Sequence, residues 1–289
     1  MPAAIPPDTD SPRNPGTRRG AAALPEAMPG MSSHTTVNRA AGMTARSRLV
    51  RLGMLALRWL QAIGRFACPE RCRLCGLSGT TPVCRLCHES LLPPVHRCLQ
   101  CALPLASGAS RCGACLRDMP PYARTVTLGD YARPQAGLVT ALKYRAEVPI
   151  ASWLAHQLAA AVRRELPLAE RPALLLPIPL SRKRLQSRGF NQAWELTRRL
   201  AVRLDCAAHP MILQRRRDTL PQTGLPLAAR RANLRDAFVL SQPAAIAGVH
   251  VGLVDDVMTS GATLRAAARL LRRHGAARVT LLVALRTPR

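Results

Sequence analysis

From Tyr122 onward, short apolar runs alternate with longer stretches in which apolar positions recur every three or four residues. Arg124–Tyr131, Ala173–Ile178, Val249–Val254 and Val279–Ala284 are runs of strand length, with Phe238–Leu240 a shorter one. Between them Gln135–Arg145, Ala151–Leu166, Asn191–Leu204 and Thr263–His274 carry a helical period; Asn191 is placed as an N-cap and Gly275 as a stop. A strand buried on both faces shows no polar alternation, and strands separated by helices pair in parallel. The pattern therefore predicts an α/β domain over residues 121–289, a mainly parallel sheet with helices on both faces.

Upstream the texture differs. Residues 1–46 are rich in Pro, Ala, Gly and Ser without any apolar period, and predict a disordered N-terminal extension; Met31, Met43 and Met54 are alternative starts. Over 47–66 a helical period returns, with Leu49, Leu52, Ala56, Trp59, Ile63 and Phe66 on one face, and this amphipathic helix is expected to pack on its own protein. Such a basic helix also suits a membrane surface. Arg58 interrupts the apolar run after six residues, too soon for a signal peptide or a spanning helix. A cytoplasmic protein is the expectation, with membrane association only through partners.

Between these regions, residues 67–120 hold nine of the ten cysteines, eight of them in four C-x-x-C pairs. Two cysteines so close suit one metal ion better than a disulfide, and they point to a reducing compartment. Cys72 and Cys75 precede Cys84 and Cys87 by eight residues, and Cys98 and Cys101 precede Cys112 and Cys115 by ten. Each half reads as a four-thiolate structural zinc site, about two ions per chain, although crossed pairing of the knuckles satisfies the spacing equally. Cys68 and Cys206 are left over, and His88 and His96 are not needed as ligands.

The net charge is +26, nearly all of it beyond residue 46. It favours anionic partners, whether phosphorylated metabolites, nucleic acid or anionic lipid. Only Lys143 and Lys183 among the 42 basic residues are lysines. That bias, alongside abundant Ala, Leu and Pro, also fits a GC-rich genome, so charge alone decides nothing. Aromatic residues are 3% of the chain, few for stacking on bases.

The chemistry concentrates in Val251–Thr263, VGLVDDVMTSGAT. An apolar strand delivers Asp255 and Asp256 to its carboxyl end, where open α/β sheets bind ligands. Thr259, Ser260, Gly261, Ala262 and Thr263 then turn into a helix. Their main-chain N–H groups and hydroxyls suit a phosphate, and Gly261 allows close approach. A ribose 5-phosphate fits this spacing, its diol on the carboxylates and its phosphate in the turn. A Walker B strand would need a Gly-Lys phosphate loop, and the chain has no Gly-Lys.

This string resembles the phosphoribosyl pyrophosphate (PRPP) signature of type I phosphoribosyltransferases. The chain from about Leu57 to Arg286 is similar to one branch of them, the ComF family with its GntX-like DNA-utilisation proteins. The motifs are the paired knuckles, ALKY at 141–144, PIPL at 177–180, RGFNQA at 188–193, QTGL at 222–225 and RRANLRDAF at 230–238. The resemblance implies a double zinc ribbon ahead of a phosphoribosyltransferase-like domain, and PRPP carried with Mg²⁺. It implies a pyrophosphate loop with Lys183 and Arg188, and a flap over the site with Arg217, Gln222 and Arg230 as contacts. Lys143 and Tyr144 either reach the diphosphate or cap a helix. Two uses stay open. One is DNA uptake in natural competence or DNA utilisation, with single-stranded DNA and uptake proteins as partners. The other is metabolic transfer of ribose 5-phosphate from PRPP to a nitrogen nucleophile, as in amidophosphoribosyltransferases.

Overall fold

The computed structural model describes residues 70–93, 95–106, 108–216 and 237–288. The extension over 1–46, the helix expected over 47–66 and Cys68 lie outside them. In chain order the cysteine-rich segment supplies β1 (Glu70–Arg71), β2 (Ser78–Gly79), α1 (Arg85–Leu91) and α2 (Gly113–Arg117). There follow β3 (Arg124–Asp130), α3 (Ala136–Arg145), α4 (Val148–Glu165), β4 (Leu174–Pro177), α5 (Arg182–Arg188) and α6 (Gln192–Leu204). The chain closes with β5 (Ala207–Ala208), β6 (Leu213–Arg215), β7 (Phe238–Leu240), β8 (His250–Met258), α7 (Ala262–Arg273) and β9 (Arg278–Arg286).

Five strands form one sheet in the order β3-β9-β8-β4-β5, every neighbour parallel. The sequence expectation of an α/β domain with a mainly parallel sheet is met. β6 and β7 pair antiparallel as a separate ribbon. Strand alternation divides the core into two layers. Leu175, Val254 and Leu282 face α3, α4 and α6, where Leu142, Leu158 and Leu200 are fully buried. Leu174, Leu253, Leu281 and Val283 face α7 and the ribbon, against Leu264, Leu271 and Phe238. Each fully buried Leu contributes about 1.5–3 kcal/mol relative to exposure.

Element ends follow local chemistry. The Asn191 side chain accepts a hydrogen bond from Ala193 N–H at 2.9 Å and caps α6. α4 opens three residues before the expected Ala151, because Pro149 sits in its first turn, where its missing N–H costs nothing. β8 runs four residues past Val254, through both aspartates, since β9 continues to pair with it as far as Met258. The basic stretch expected as a loop after PIPL is the helix α5, capped by Ser181 and ended by Gly189 at φ +74°.

The eight knuckle cysteines form two groups among the described residues, Cys72–Cys75–Cys84–Cys87 and Cys98–Cys101–Cys112–Cys115. Pairing is sequential, not crossed. All four sulfurs of each group lie within 4.8 Å of one another. The Sγ–Sγ separations of 3.7 Å for Cys75–Cys84 and 3.6 Å for Cys101–Cys112 fit the edge of a tetrahedron with metal–sulfur bonds of about 2.3 Å. The groups are thus compatible with structural zinc. Burial opposes ionisation of Cys72, but main-chain N–H groups of Cys84, Cys75 and Leu74 outweigh it and hold its pKa down to about 6. Cys98 is brought to about 7 by the same balance, with Cys101, Cys112 and Gln100 as donors. His88 instead packs edge-on to Trp153, and His96 Nε2 bonds Ala109 O.

The two knuckles straddle β3. The first packs on the α4 side through Val83 and an Arg73–Glu147 ion pair of 2.8 Å. The second packs on the α7 side, with Cys98, Cys101 and Cys115 around Tyr122. Between them Leu99 O accepts from Thr125 N–H of β3 at 2.9 Å, and Arg97 pairs with Asp130 at 2.7 Å.

Elemental analysis of the purified chain should find about two zinc ions per chain; one or none would refute the two-site assignment. Gly252 lies opposite Leu175 in the β4–β8 ladder, where an added Cβ would stand 2.5 Å from Leu175 Cδ2 and 3.1 Å from Pro172. Gly252→Val should lower unfolding free energy by about 1–3 kcal/mol in denaturant titrations, and an unchanged midpoint would contradict this packing.

Candidate functional site

β4 leaves the sheet before β8 does. Its last paired residue is Pro177, opposite Val254, and Ile178 N–H adds one further bond to Val254 O at 2.9 Å. Pro179 has no N–H to continue the ladder. From Asp255 to Met258, β8 is therefore flanked by β9 but no longer by β4. The chain order reverses across this same seam: β4 leads outward to β5, and β8 leads the other way to β9. A crevice at the carboxyl ends of strands is expected where connections diverge.

Asp255 and Asp256 stand in that gap, and alternation sends them to opposite faces. Asp256 turns to the α3 side, 3% exposed, and its Oδ2 lies 3.0 Å from Lys143 Nζ. Asp255 turns the other way and stays partly exposed. Surrounding protein strips hydration from Asp255 and the charge of Asp256 adds to this, so its carboxyl is pushed well above the usual carboxylate range; the Asp256 N–H and Lys143 pull the other way. Lys143, left open between two roles by its sequence, holds the inner carboxylate. Its neighbour Tyr144 is 72% exposed and has the Arg188 guanidinium over its ring at 5.4 Å.

The turn after β8 leads directly from the strand into α7. Thr259 and Ser260 are exposed, and Gly261 caps α7 at φ +77°. The positive φ favours glycine, and an added Cβ would also have to displace the Met258 side chain, whose Cε would lie at 2.5 Å. Ala262 N–H reaches Ser260 Oγ at 3.4 Å. The following helix is 12 residues long, and its first-turn N–H groups at Ala262 and Thr263 have no helical acceptor.

Across the gap, Asn191 Nδ2 donates to Ile178 O at 3.2 Å and fixes the return of the chain after β4. Lys183 lies on exposed α5 and Arg188 at its end, both on the carboxyl-end side of the sheet. Arg217, Gln222 and Arg230 lie outside the described residues. The flanks of that segment are held together, with Arg216 N–H bonded to Ala237 O at 2.9 Å and Arg215 over Phe238.

One residue escaped the sequence reading. Arg286 ends β9 with 1% exposure, and its guanidinium donates to carbonyls of Cys101, Met258, Thr259 and Thr287. The available signal was a charge terminating the apolar run VTLLVAL.

Comparison with known proteins places these observations. Residues 185–289 match the phosphoribosyl transferase domain model. A DNA utilization protein YhgH of Salmonella typhimurium is 38% identical over 208 residues, 71% of this chain and 90% of the relative. The Escherichia coli K12 protein of that name is 36% identical over 225 residues, 76% of this chain and 98% of its own. Competence protein F of Haemophilus influenzae is 35% identical over 181 residues, covering 62% and 79%. A solved Trypanosoma cruzi hypoxanthine phosphoribosyltransferase aligns with 47% of this chain and 62% of its own at 17% identity and a TM-score of 0.29. With most of each bacterial relative aligned and its knuckles, sheet and signature turn in place, the chain belongs to the ComF family of competence and DNA-utilisation proteins, built on a type I phosphoribosyltransferase-like fold.

Proposed function

We propose that the gap beside β8 binds PRPP or a related ribose 5-phosphate ester, and that this site serves DNA uptake or DNA utilisation. The observation that carries the proposal is the protrusion of β8 beyond β4, which sets Asp255 and Asp256 one turn ahead of a glycine-capped helix. Main-chain N–H groups from Thr259 to Thr263, with the hydroxyls of Thr259, Ser260 and Thr263, take the 5-phosphate. Asp255, the partly exposed carboxylate, accepts from the ribose diol. Asp256 orients Lys143, whose ammonium lies at the inner wall.

Lys183 and Arg188 are the cations for a diphosphate, and Tyr144 steadies Arg188 through its ring. The donor set facing the gap is all oxygen, which suits Mg²⁺; Asp255 is the carboxylate to meet it. Magnesium would neutralise the diphosphate and help it leave. This chain's contribution is then placement of the sugar and fixed positive charge around the diphosphate.

The DNA role draws on the names of the bacterial relatives and on α5, where Arg182, Lys183 and Arg184 project without ion pairs among the described residues. Unpaired cations in a row suit a phosphodiester backbone. Metabolic phosphoribosyl transfer remains the rival use of the same pocket, and pyrophosphate release with candidate amines would reveal it. The chain supplies sites for zinc in both knuckles and, among the described residues, no helix long and apolar enough to cross a membrane.

Calorimetric titration with PRPP and Mg²⁺ should show saturable binding to the wild type. Asp255→Asn with Asp256→Asn should weaken it by at least about tenfold, more than 1.4 kcal/mol. Absence of binding to the wild type would remove the PRPP reading. Single-stranded oligonucleotides should bind with an affinity that falls steeply with salt.

Asp255 also links the site to stability. Its folded pKa is raised above an unfolded value of about 3.9. The unfolded chain therefore gives up this proton first as pH rises, and stability falls across that window and stays lower at neutral pH. Asp255→Asn alone should raise the melting temperature at pH 7 and leave it unchanged below about pH 3.5. A lower melting temperature at neutral pH would contradict the crowded-carboxylate picture.

A further inference from the structure

The second cysteine knuckle and the phosphate turn meet at one buried side chain. Arg286 Nε donates to Cys101 O at 2.8 Å. Its Nη1 donates to Met258 O at 2.9 Å and to Thr259 O, the carbonyls that open the turn, and to Thr287 O at 2.7 Å. A second tie runs beside it: Arg265 of α7 pairs with Asp118 Oδ2 at 2.8 Å and donates to Asp118 O at 3.2 Å. Asp118 directly follows α2, which carries Cys115. Cys101, Cys112, Tyr122, Ser260 and Arg265 line one small recess between the two parts. The first knuckle's ion pair and ring contact go elsewhere, to Glu147 and Trp153 on the opposite side of the sheet.

A guanidinium at 1% exposure needs its acceptors held in place, because an unmet buried N–H is costly. The Cys101 carbonyl is held while the four sulfurs around it are pinned. When that knuckle opens, Arg286 loses the acceptor on one side and cannot keep the same grip on Met258 and Thr259. The amides beyond them then lose the fixed arrangement that makes a phosphate cradle effective.

We infer that Arg286 is a positioning residue that transmits the closed shape of the second knuckle to the phosphate turn, so that metal in this knuckle, and not in the first, sets how firmly the turn takes a phosphoester. The phosphoester half rests on the PRPP reading; the mechanical half does not. The fit of the four sulfurs to a tetrahedral ion supports the premise, and the two ties supply two independent physical links.

The test compares the full chain with three variants: Cys112→Ser/Cys115→Ser, Cys84→Ser/Cys87→Ser and Arg286→Lys. Zinc per chain, hydrogen exchange across residues 258–263 and PRPP–Mg²⁺ calorimetry are read for each. Opening the second knuckle should remove one zinc, speed exchange in the turn by about tenfold and weaken PRPP by at least about fivefold. Opening the first should remove one zinc and leave both other readouts at wild-type values. Arg286→Lys should keep both ions yet reproduce the second-knuckle pattern. Should that variant not fold, Arg265→Ala, which cuts only the outer tie, should shift the same readouts in the same direction. Unchanged exchange with the second knuckle open, or equal loosening from either knuckle, would overturn the coupling. If the wild type takes no PRPP, the ligand reading fails, while exchange in the turn still decides the mechanical one.

Discussion

A difference in strand length organises this molecule. β4 ends its ladder at Pro177, opposite Val254, and β8 continues to Met258 against β9 alone. Proline enforces the stop, since neither Pro177 nor Pro179 can donate to a neighbour. The result is a stretch of strand with one bare flank at the point where the connections diverge. A carboxylate in mid-sheet would be intolerable; here Asp256 can be buried because Lys143 meets it, and Asp255 can remain partly exposed because no strand covers it. The helix that follows begins close by because Gly261 turns the chain in left-handed geometry.

Much of this was legible in the sequence because it rests on local chemistry. The apolar runs became strands, Asn191 capped its helix, Gly275 stopped another at φ +88°, and the C-x-x-C spacing paired in sequence. What was missed depends on partners far along the chain. The extension of β8 through its aspartates comes from β9 pairing, which no local pattern of DDVM announces. α5 is hidden as a loop in the sequence because RKRLQSR has a single apolar residue, the exposed Leu185, and buries nothing, so it leaves no period to detect. Lys143 was ambiguous until Asp256 lay beside it, 113 positions later by chain numbering. The role of Arg286 needed the second knuckle to fold back over the sheet, bringing Cys101 to a residue near the other end of the chain.

The cysteine-rich segment is more than a stalk ahead of the α/β domain. Val83 and Cys115 enter opposite core layers, so each knuckle completes a different face of the sheet. Its scarcity of apolar residues fits two four-sulfur groups compatible with structural zinc. Its placement makes it part of both core layers of the α/β domain.

The hydrogen bond from Thr125 N–H to Leu99 O has a wider consequence. β3 and β5 are the margins of the sheet, and margins recruit strands from other molecules. β5 is only two residues long and offers little to copy. β3 is seven residues long, and the cysteine-rich segment shields it where a sixth strand would otherwise dock. Through the Leu99–Thr125 bond the cysteine-rich segment thus occupies part of the backbone edge that a strand of a neighbouring copy would need.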